Sequence, residues 1–157
     1  MDSHKKYMRQ AIALSVDKMQ AGCGGPFGAI IVKDDVVIGK GWNQVTSSCD
    51  PTAHAEVSAI RNACQTINNF SLKGATLYTS CEPCPMCLSA IYWARIDHIF
   101  YGNTKDDAAK INFDDDFLYK ELIKLPENRT LPMVQILHDE SITAFTMWAA
   151  KEDKTPY

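Results

Sequence analysis

Apolar residues recur along the chain at helix or strand spacing, and the two kinds of segment alternate. Met8, Ile12, Val16 and Met19 follow one another at intervals of three or four, which predicts a helix over residues 3–20 with those side chains on one face. Asp2 or Ser3 can cap its start, and Gly22, Gly24 and Gly25 stop it. Residues 27–32 form a short apolar run rich in β-branched side chains. Lys33-Asp34-Asp35 then turns the chain and residues 36–42 return, so the pair reads as a β-hairpin. Asp50-Pro51-Thr52 punctuates the start of a helix over about residues 53–66, with Val57, Ile60 and Cys64 on one face. A strand is expected at residues 75–79, followed by a helix that starts around Pro83 and Pro85 and runs to about Ala94. Proline is tolerated in a helix's first turn, where its missing N–H has no partner to lose. Further strands are predicted at residues 98–101 and 134–137, short helices at 106–110 and 117–124, and a last helix at 143–151. The alternation argues for helices layered on a sheet.

Length and composition narrow this picture. The chain has 157 residues, 46% of them hydrophobic and 22% charged, so one soluble domain spanning residues 1–157 is expected. No apolar run approaches the ~20 residues a membrane span requires. The first residues carry charges and no apolar signal core, so a cytoplasmic protein is expected. A net charge of −3 lacks the basic footprint of nucleic-acid binding, so such a partner is not expected.

The cysteines bring in the chemistry. Cys23, Cys49 and Cys64 are scattered, whereas Cys81, Cys84 and Cys87 form C-x-x-C-x-x-C. In a reducing compartment such a cluster reads as a metal or redox site before a disulfide. Thr52-Ala53-His54-Ala55-Glu56 and Glu82-Pro83-Cys84-Pro85-Met86-Cys87 each open a predicted helix. Thiolates in a first turn face the positive end of the helix dipole, which favours the ionised, metal-binding form. One His and two Cys suit a catalytic Zn²⁺ ion, which keeps a fourth position for water and lowers the pKa of that water toward ~7. Glu56 need not be a ligand. A carboxylate beside the metal can take a proton from the water and return it to a leaving group. H-x-E followed by P-C-x-x-C is the signature of zinc-dependent nucleobase deaminases. Three other arrangements fit parts of the pattern. Cys81 can be a fourth ligand of a closed structural zinc domain, the cysteines fit part of an iron–sulfur spacing, and Glu56 alone can be a solvated helix carboxylate.

With these motifs the chain resembles the cytidine deaminase superfamily over nearly its whole length. The string from Asp50 to Glu56 is similar to the purine-deaminating branch, which includes tRNA adenosine deaminases. The string from Cys81 to Leu88, then Ala90-Ile91-Tyr92-Trp93-Ala94-Arg95, Phe113-Asp114-Asp115 and a terminal Tyr157 are more similar to the small bacterial guanine deaminases. The resemblance implies a three-layer α/β/α sandwich around a five-stranded mixed sheet, with one zinc ion per chain held by His54, Cys84 and Cys87. It implies that Glu56 shuttles protons while a hydroxide supplied at the zinc converts guanine to xanthine and ammonia. It implies that Phe27 and Asn43 hold the base and that Asp115 and Tyr157 close the site. Finally, it implies a homodimer in which a C-terminal segment, about residues 132–157, is exchanged, so that Trp93 and Tyr157 complete the partner's pocket. Guanosine and tRNA adenosine remain alternative substrates. Residue chemistry is consistent with a purine: Phe27 can stack on a base, Asn43 can donate and accept, and Asp115 can accept from neighbouring N–H donors. Each also has an ordinary reading, as core, turn, solvated acidic run or frayed terminus.

Overall fold

The computed structural model describes residues 2–157. Among these the sheet has the order β2-β1-β3-β4, with β1 (Gly28–Lys33), β2 (Val36–Trp42), β3 (Thr76–Cys81) and β4 (His98–Asn103). Asp34 and Asp35 both adopt positive φ, 49° and 60°, and so close the β1–β2 hairpin with the handedness that matches strand twist. β1 also pairs antiparallel with β3, while β3 and β4 are parallel. A parallel pair requires a crossover, and α4 (Pro85–Trp93) supplies it. The pairings Gly28 with Trp42 and Ala29 with Thr79 bring the start of β1 and the ends of β2 and β3 to one end of the sheet.

The two faces are covered by different helices. α1 (Asp2–Gln20) packs Tyr7 and Ala11 against Ile30, Val32 and Tyr78. On the other face, α3 (Ala55–Ile67) and α4 enclose Ala29, Ile31 and Leu77 with Ala55, Ala59, Ala63, Ile91 and Ala94. Period-2 alternation along β1 and β3 thus serves two cores, and the three α/β/α layers form around a mixed sheet.

Both long helices meet the sheet through small side chains. α1 buries Tyr7, Ala11 and Ser15, while Ile12 and Val16 of the predicted face are 44% and 42% exposed. A Cβ on Gly28 would stand 2.5 Å from the Ala11 carbonyl and 2.6 Å from the Ser15 nitrogen, so the helix backbone touches the strand. α3 behaves alike. Ala55, Ala59 and Ala63 are fully buried, whereas Val57, Ile60 and Cys64 are only half-buried. The nearest contact is therefore chosen by size rather than by hydrophobicity.

The chain forms two compact units, one ending at Asp116 and one comprising Phe117–Tyr157. The first also contains two short helices, α2 (Val45–Ser48) and α5 (Lys105–Ala109); the latter starts with a reciprocal capping box between Thr104 and Asp107. The second holds most of α6 (Asp116–Leu122), a 3₁₀ turn at Pro126–Asn128, and α7 (His138–Ala150). Within it, Glu121 accepts hydrogen bonds from the Thr130 backbone N–H at 2.7 Å and hydroxyl at 2.8 Å, tying α6 to the turn. No residue of this unit is buried, and residues 131–157 are all exposed.

The fifth strand expected at residues 134–137 does not form: the described sheet has four strands, and this segment is neither strand nor helix. A strand exists only through a neighbour that takes its N–H and C=O groups, and residues 134–137 belong to no ladder. The last helix begins at His138, ahead of the predicted residue 143.

A Cβ on Gly41 would lie 2.1 Å from the Ala55 carbonyl oxygen and 2.3 Å from the Ala59 nitrogen, both rigid helix backbone. Gly41→Ala is therefore expected to destabilise the protein by about 3 kcal/mol, the upper end of ordinary overpacking. The Tm should fall by roughly 6–12 °C in calorimetry, and an unchanged Tm would show that α3 is not pressed onto β2.

Candidate active site

The strand ends that converge at one end of the sheet also carry the segments that build a cavity of about 440 Å³. Its wall includes Phe27 from before β1, Asn43 from after β2, His54 and Glu56 from the start of α3, Cys84 from the start of α4, and Phe113 and Asp115. This is an ordinary volume for a small-molecule site, and strand termini are where α/β sheets place ligands.

His54 is the N-cap residue of α3 and Cys84 that of α4, both with extended backbone. Pro85 occupies the first turn of α4, and Cys87 follows within the same turn. The two helix N-termini thereby present their ligand side chains to one point. His54 Nδ1 lies 3.6 Å from Cys84 Sγ and 3.4 Å from Cys87 Sγ, and all three ligand atoms fall within 4.8 Å of one another. A tetrahedral zinc with bonds of ~2.0–2.1 Å to nitrogen and ~2.3 Å to sulfur sets its N and S ligands about 3.6 Å apart. The donor set and its spacing fit zinc. Cys81 is not part of this group: it ends β3, buried, with its sulfur 3.6 Å from the Thr104 carbonyl. Three protein ligands rather than four is the arrangement of an open site.

The thiols differ sharply. Cys84 is lowered to about 4, chiefly by the hydrogen bond from Cys87 and then by that from His54. Cys87, which supplies that hydrogen bond and is buried, is pushed far up. Burial raises Cys81 to about 11. The hydrogen bond to Cys84 raises His54. Without metal, the site therefore favours a thiolate at Cys84 beside an imidazole whose proton is held more tightly than usual.

Glu56 is 6% exposed, and burial raises its pKa. Its side chain is hydrogen-bonded to Cys87, and its Oε1 accepts from the Thr79 hydroxyl at 3.1 Å. It is thus a buried acid next to the ligand cluster but outside it. Asn43 is 7% exposed, and its Oδ1 accepts from the backbone N–H groups of Gly25 at 3.2 Å and Val45 at 3.3 Å. Two donors at the oxygen identify it, and leave Nδ2 as the donor end of the amide. Phe27 meets Phe113 edge to face at 4.9 Å, forming an aromatic wall. Burial, and then the Cys84 charge, raises Asp115.

Of the residues singled out in the sequence, the cavity brings together His54, Cys84, Glu56, Phe27, Asn43 and Asp115, with Cys87 behind the ligand cluster. Trp93 and Tyr157 are not among its lining residues. Trp93 is exposed at the end of α4, with the Arg95 guanidinium 5.6 Å from its ring, and Tyr157 is exposed in the second unit. Sequence reasoning missed Thr79, Lys105 and the wall role of Phe113. A signal for Thr79 exists: β-alternation sets it on the same face as Leu77 and Cys81, a polar side chain in a buried row.

The thiol ordering predicts a labelling pattern in the metal-stripped protein. A lowered pKa means a thiolate at lower pH, so iodoacetamide should modify Cys84 from mildly acidic pH upward, and Cys81 only as the pH approaches about 11. Peptide mass spectrometry reads both; faster modification of Cys81 than of Cys84 at neutral pH would refute the ordering.

Comparison with known proteins agrees with the geometry. Residues 1–103 match the cytidine and deoxycytidylate deaminase zinc-binding region. A guanine deaminase from Bacillus subtilis is 49% identical over 155 residues, covering 99% of each chain. The X-ray structure of guanine deaminase from Bacillus subtilis superposes with a TM-score of 0.96 at 49% identity, covering 98% of each chain. A tRNA-specific adenosine deaminase from Buchnera aphidicola is 40% identical over 115 residues, 73% of this chain and 74% of that one. Two helix N-termini carrying His54, Cys84 and Cys87 around a buried Glu56, and a family match over most of the chain, show that this protein belongs to the cytidine and deoxycytidylate deaminase zinc-binding family.

Proposed function

We propose that the protein is a zinc-dependent guanine deaminase that hydrolyses guanine to xanthine and ammonia, with one zinc ion per chain. The observation that carries this reading is the reach of the similarity. It covers 99% of this chain for the guanine deaminase relative, past the zinc-binding region, and 73% for the tRNA-specific one. The net charge of −3 also suits a small neutral base better than a polyanion.

His54, Cys84 and Cys87 would hold the zinc ion, which when bound would lower the pKa of water toward ~7 and so supply a nucleophile at neutral pH. Glu56 takes up the proton released from the water. It gives that proton to the purine ring nitrogen next to C2, then takes a second proton from the hydroxyl added at C2 and gives it to the amine, so that the C2 carbonyl forms as ammonia departs neutral. Burial, which raises the Glu56 pKa, brings this acid nearer the range where it can both accept and give a proton. Asn43 donates through Nδ2 to an acceptor on the base, and Phe27 stacks on the ring. Asp115 accepts from the N1–H and 2-amino edge, a role that suits a carboxylate, which is acceptor-only when ionised.

The reading includes a homodimer with an exchanged C-terminal segment, so that residues 1–157 form one deaminase domain only across two chains. β4 is a sheet edge, and all its residues but Ile99 are exposed. The segment after residue 130 exposes Val134, Ile136, Phe145, Met147 and Trp148 together. Edge strands and apolar surface of this extent are what a second copy covers. In that assembly Trp93 and Tyr157 complete the partner's pocket. The reduced thiols of the site suit the cytoplasm.

Glu56→Gln should retain zinc while guanine turnover, followed as xanthine formation, falls by ~100-fold or more. Unchanged turnover would remove Glu56 from the mechanism, and turnover of guanosine but not guanine would overturn the substrate assignment. Sedimentation of the full chain should give a dimer, and of a chain ending at residue 131 a monomer; a monomeric full chain would defeat the exchanged-segment reading.

A further inference from the structure

Thr79 poses a question the zinc site does not answer. It sits in the middle of β3, paired with Ala29 and Tyr101, and is 1% exposed. A buried position in a strand covered on both faces by helices suits valine or isoleucine, which pack as well and bury no hydroxyl. An unsatisfied buried hydroxyl costs ~1–3 kcal/mol. The Thr79 hydroxyl is satisfied by Oε1 of Glu56 on α3, at 3.1 Å in a fully buried bond between residues 23 apart. Its partner is itself buried, at the start of α3.

We propose that Thr79 is the positioning residue for Glu56. Its hydroxyl commits one carboxylate oxygen to the protein and fixes the plane of the group, so that proton exchange with water and purine runs through the other oxygen. The inference rests on the guanine-deaminase reading above. Three features point to positioning rather than packing. The γ-methyl of threonine already fills the space a valine would fill, so only the hydroxyl distinguishes the two. The bond links two elements that carry different parts of the site, since β3 leads into the cysteine turn and α3 opens with His54. The same row of β3 holds Leu77 and Cys81, neither of which offers an oxygen to Glu56, and the other side-chain partner of the carboxylate is Cys87, a candidate zinc ligand, so Thr79 is its hydroxyl donor from β3.

The test compares Thr79→Val with Thr79→Ser in full-length, zinc-loaded protein. A hydrogen bond to a charged group converts to a ~10–100-fold change in rate. Thr79→Val is expected to lower kcat for guanine by that factor, with KM and zinc content within about threefold of the parent. Thr79→Ser, which keeps the hydroxyl and loses the methyl, should keep kcat within about threefold. In a Glu56→Gln background the valine substitution should cause little further loss, because residues acting as a unit are not additive. Unchanged kcat in Thr79→Val, an equal loss in Thr79→Ser, or full additivity with Glu56→Gln would each overturn the proposal. Should Thr79→Val fail to fold, Thr79→Ala against Thr79→Ser makes the same comparison. A parent enzyme inactive on guanine overturns the substrate reading instead. Crystal structures of the zinc-loaded parent and valine variant then decide the Thr79 question without substrate: a rotated Glu56 carboxylate supports it, and an unchanged one refutes it.

Discussion

The close approach of α3 to the sheet governs where everything else falls. Gly39 and Gly41 on β2 face Ala55, Ala59 and Ala63 on the helix, and a Cβ on either glycine would strike helix backbone or the Ala63 methyl. Helix and strand therefore touch main chain to main chain. Such contact tolerates no added methyl and little rotation, because interiors are packed to crystal density. The first turn of α3 carries His54 and Glu56, so the rigidity of this contact passes directly to the chemistry. A buried carboxylate and a candidate metal ligand tied to one helix turn can shift only if that whole interface shifts.

The site is also an electrostatic arrangement. Two helix N-termini converge with their unsatisfied N–H groups, and a partial positive charge at each favours thiolate at Cys84 and carboxylate at Glu56. Burial pulls the other way and raises Glu56, while the hydrogen bond from Thr79 offsets part of that cost. Asn43 is held by a comparable economy of donors. Two backbone N–H groups occupy its oxygen, so the amide faces the cavity in one sense only. The pocket is thus organised before a ligand arrives, which reduces the ordering cost of binding.

The two units differ in how they handle apolar surface. The first encloses a double core around β1 and β3. The second buries no residue, although Leu131, Val134, Ile136, Phe145 and Trp148 give it ample apolar side chains. A monomeric soluble protein seldom leaves so much apolar area in water. That imbalance, more than any single contact, is the physical support for the proposed second copy.

The sequence by itself determined the alternation of elements, the hairpin at Asp34-Asp35, both proline-marked helix starts and the chemistry of the ligand triad. All of these rest on local rules: turn residues that accept positive φ, proline in a first turn, and the coordination preferences of His and Cys. The apolar faces it marked on α1 and α3 are not the ones nearest the sheet. Hydrophobic periodicity selected Ile12, Val16, Val57 and Ile60, whereas the sheet is touched by Ala11, Ser15, Ala55 and Ala59. Periodicity measures aversion to water, and the nearest contact was set by how closely two backbones can approach. Only the tertiary structure could decide that, along with the pairing of Thr79 with Glu56, the orientation of the Asn43 amide and the absence of a strand at residues 134–137. Each of these depends on a partner far away along the chain, and a pattern read within one segment carries no record of what stands opposite it.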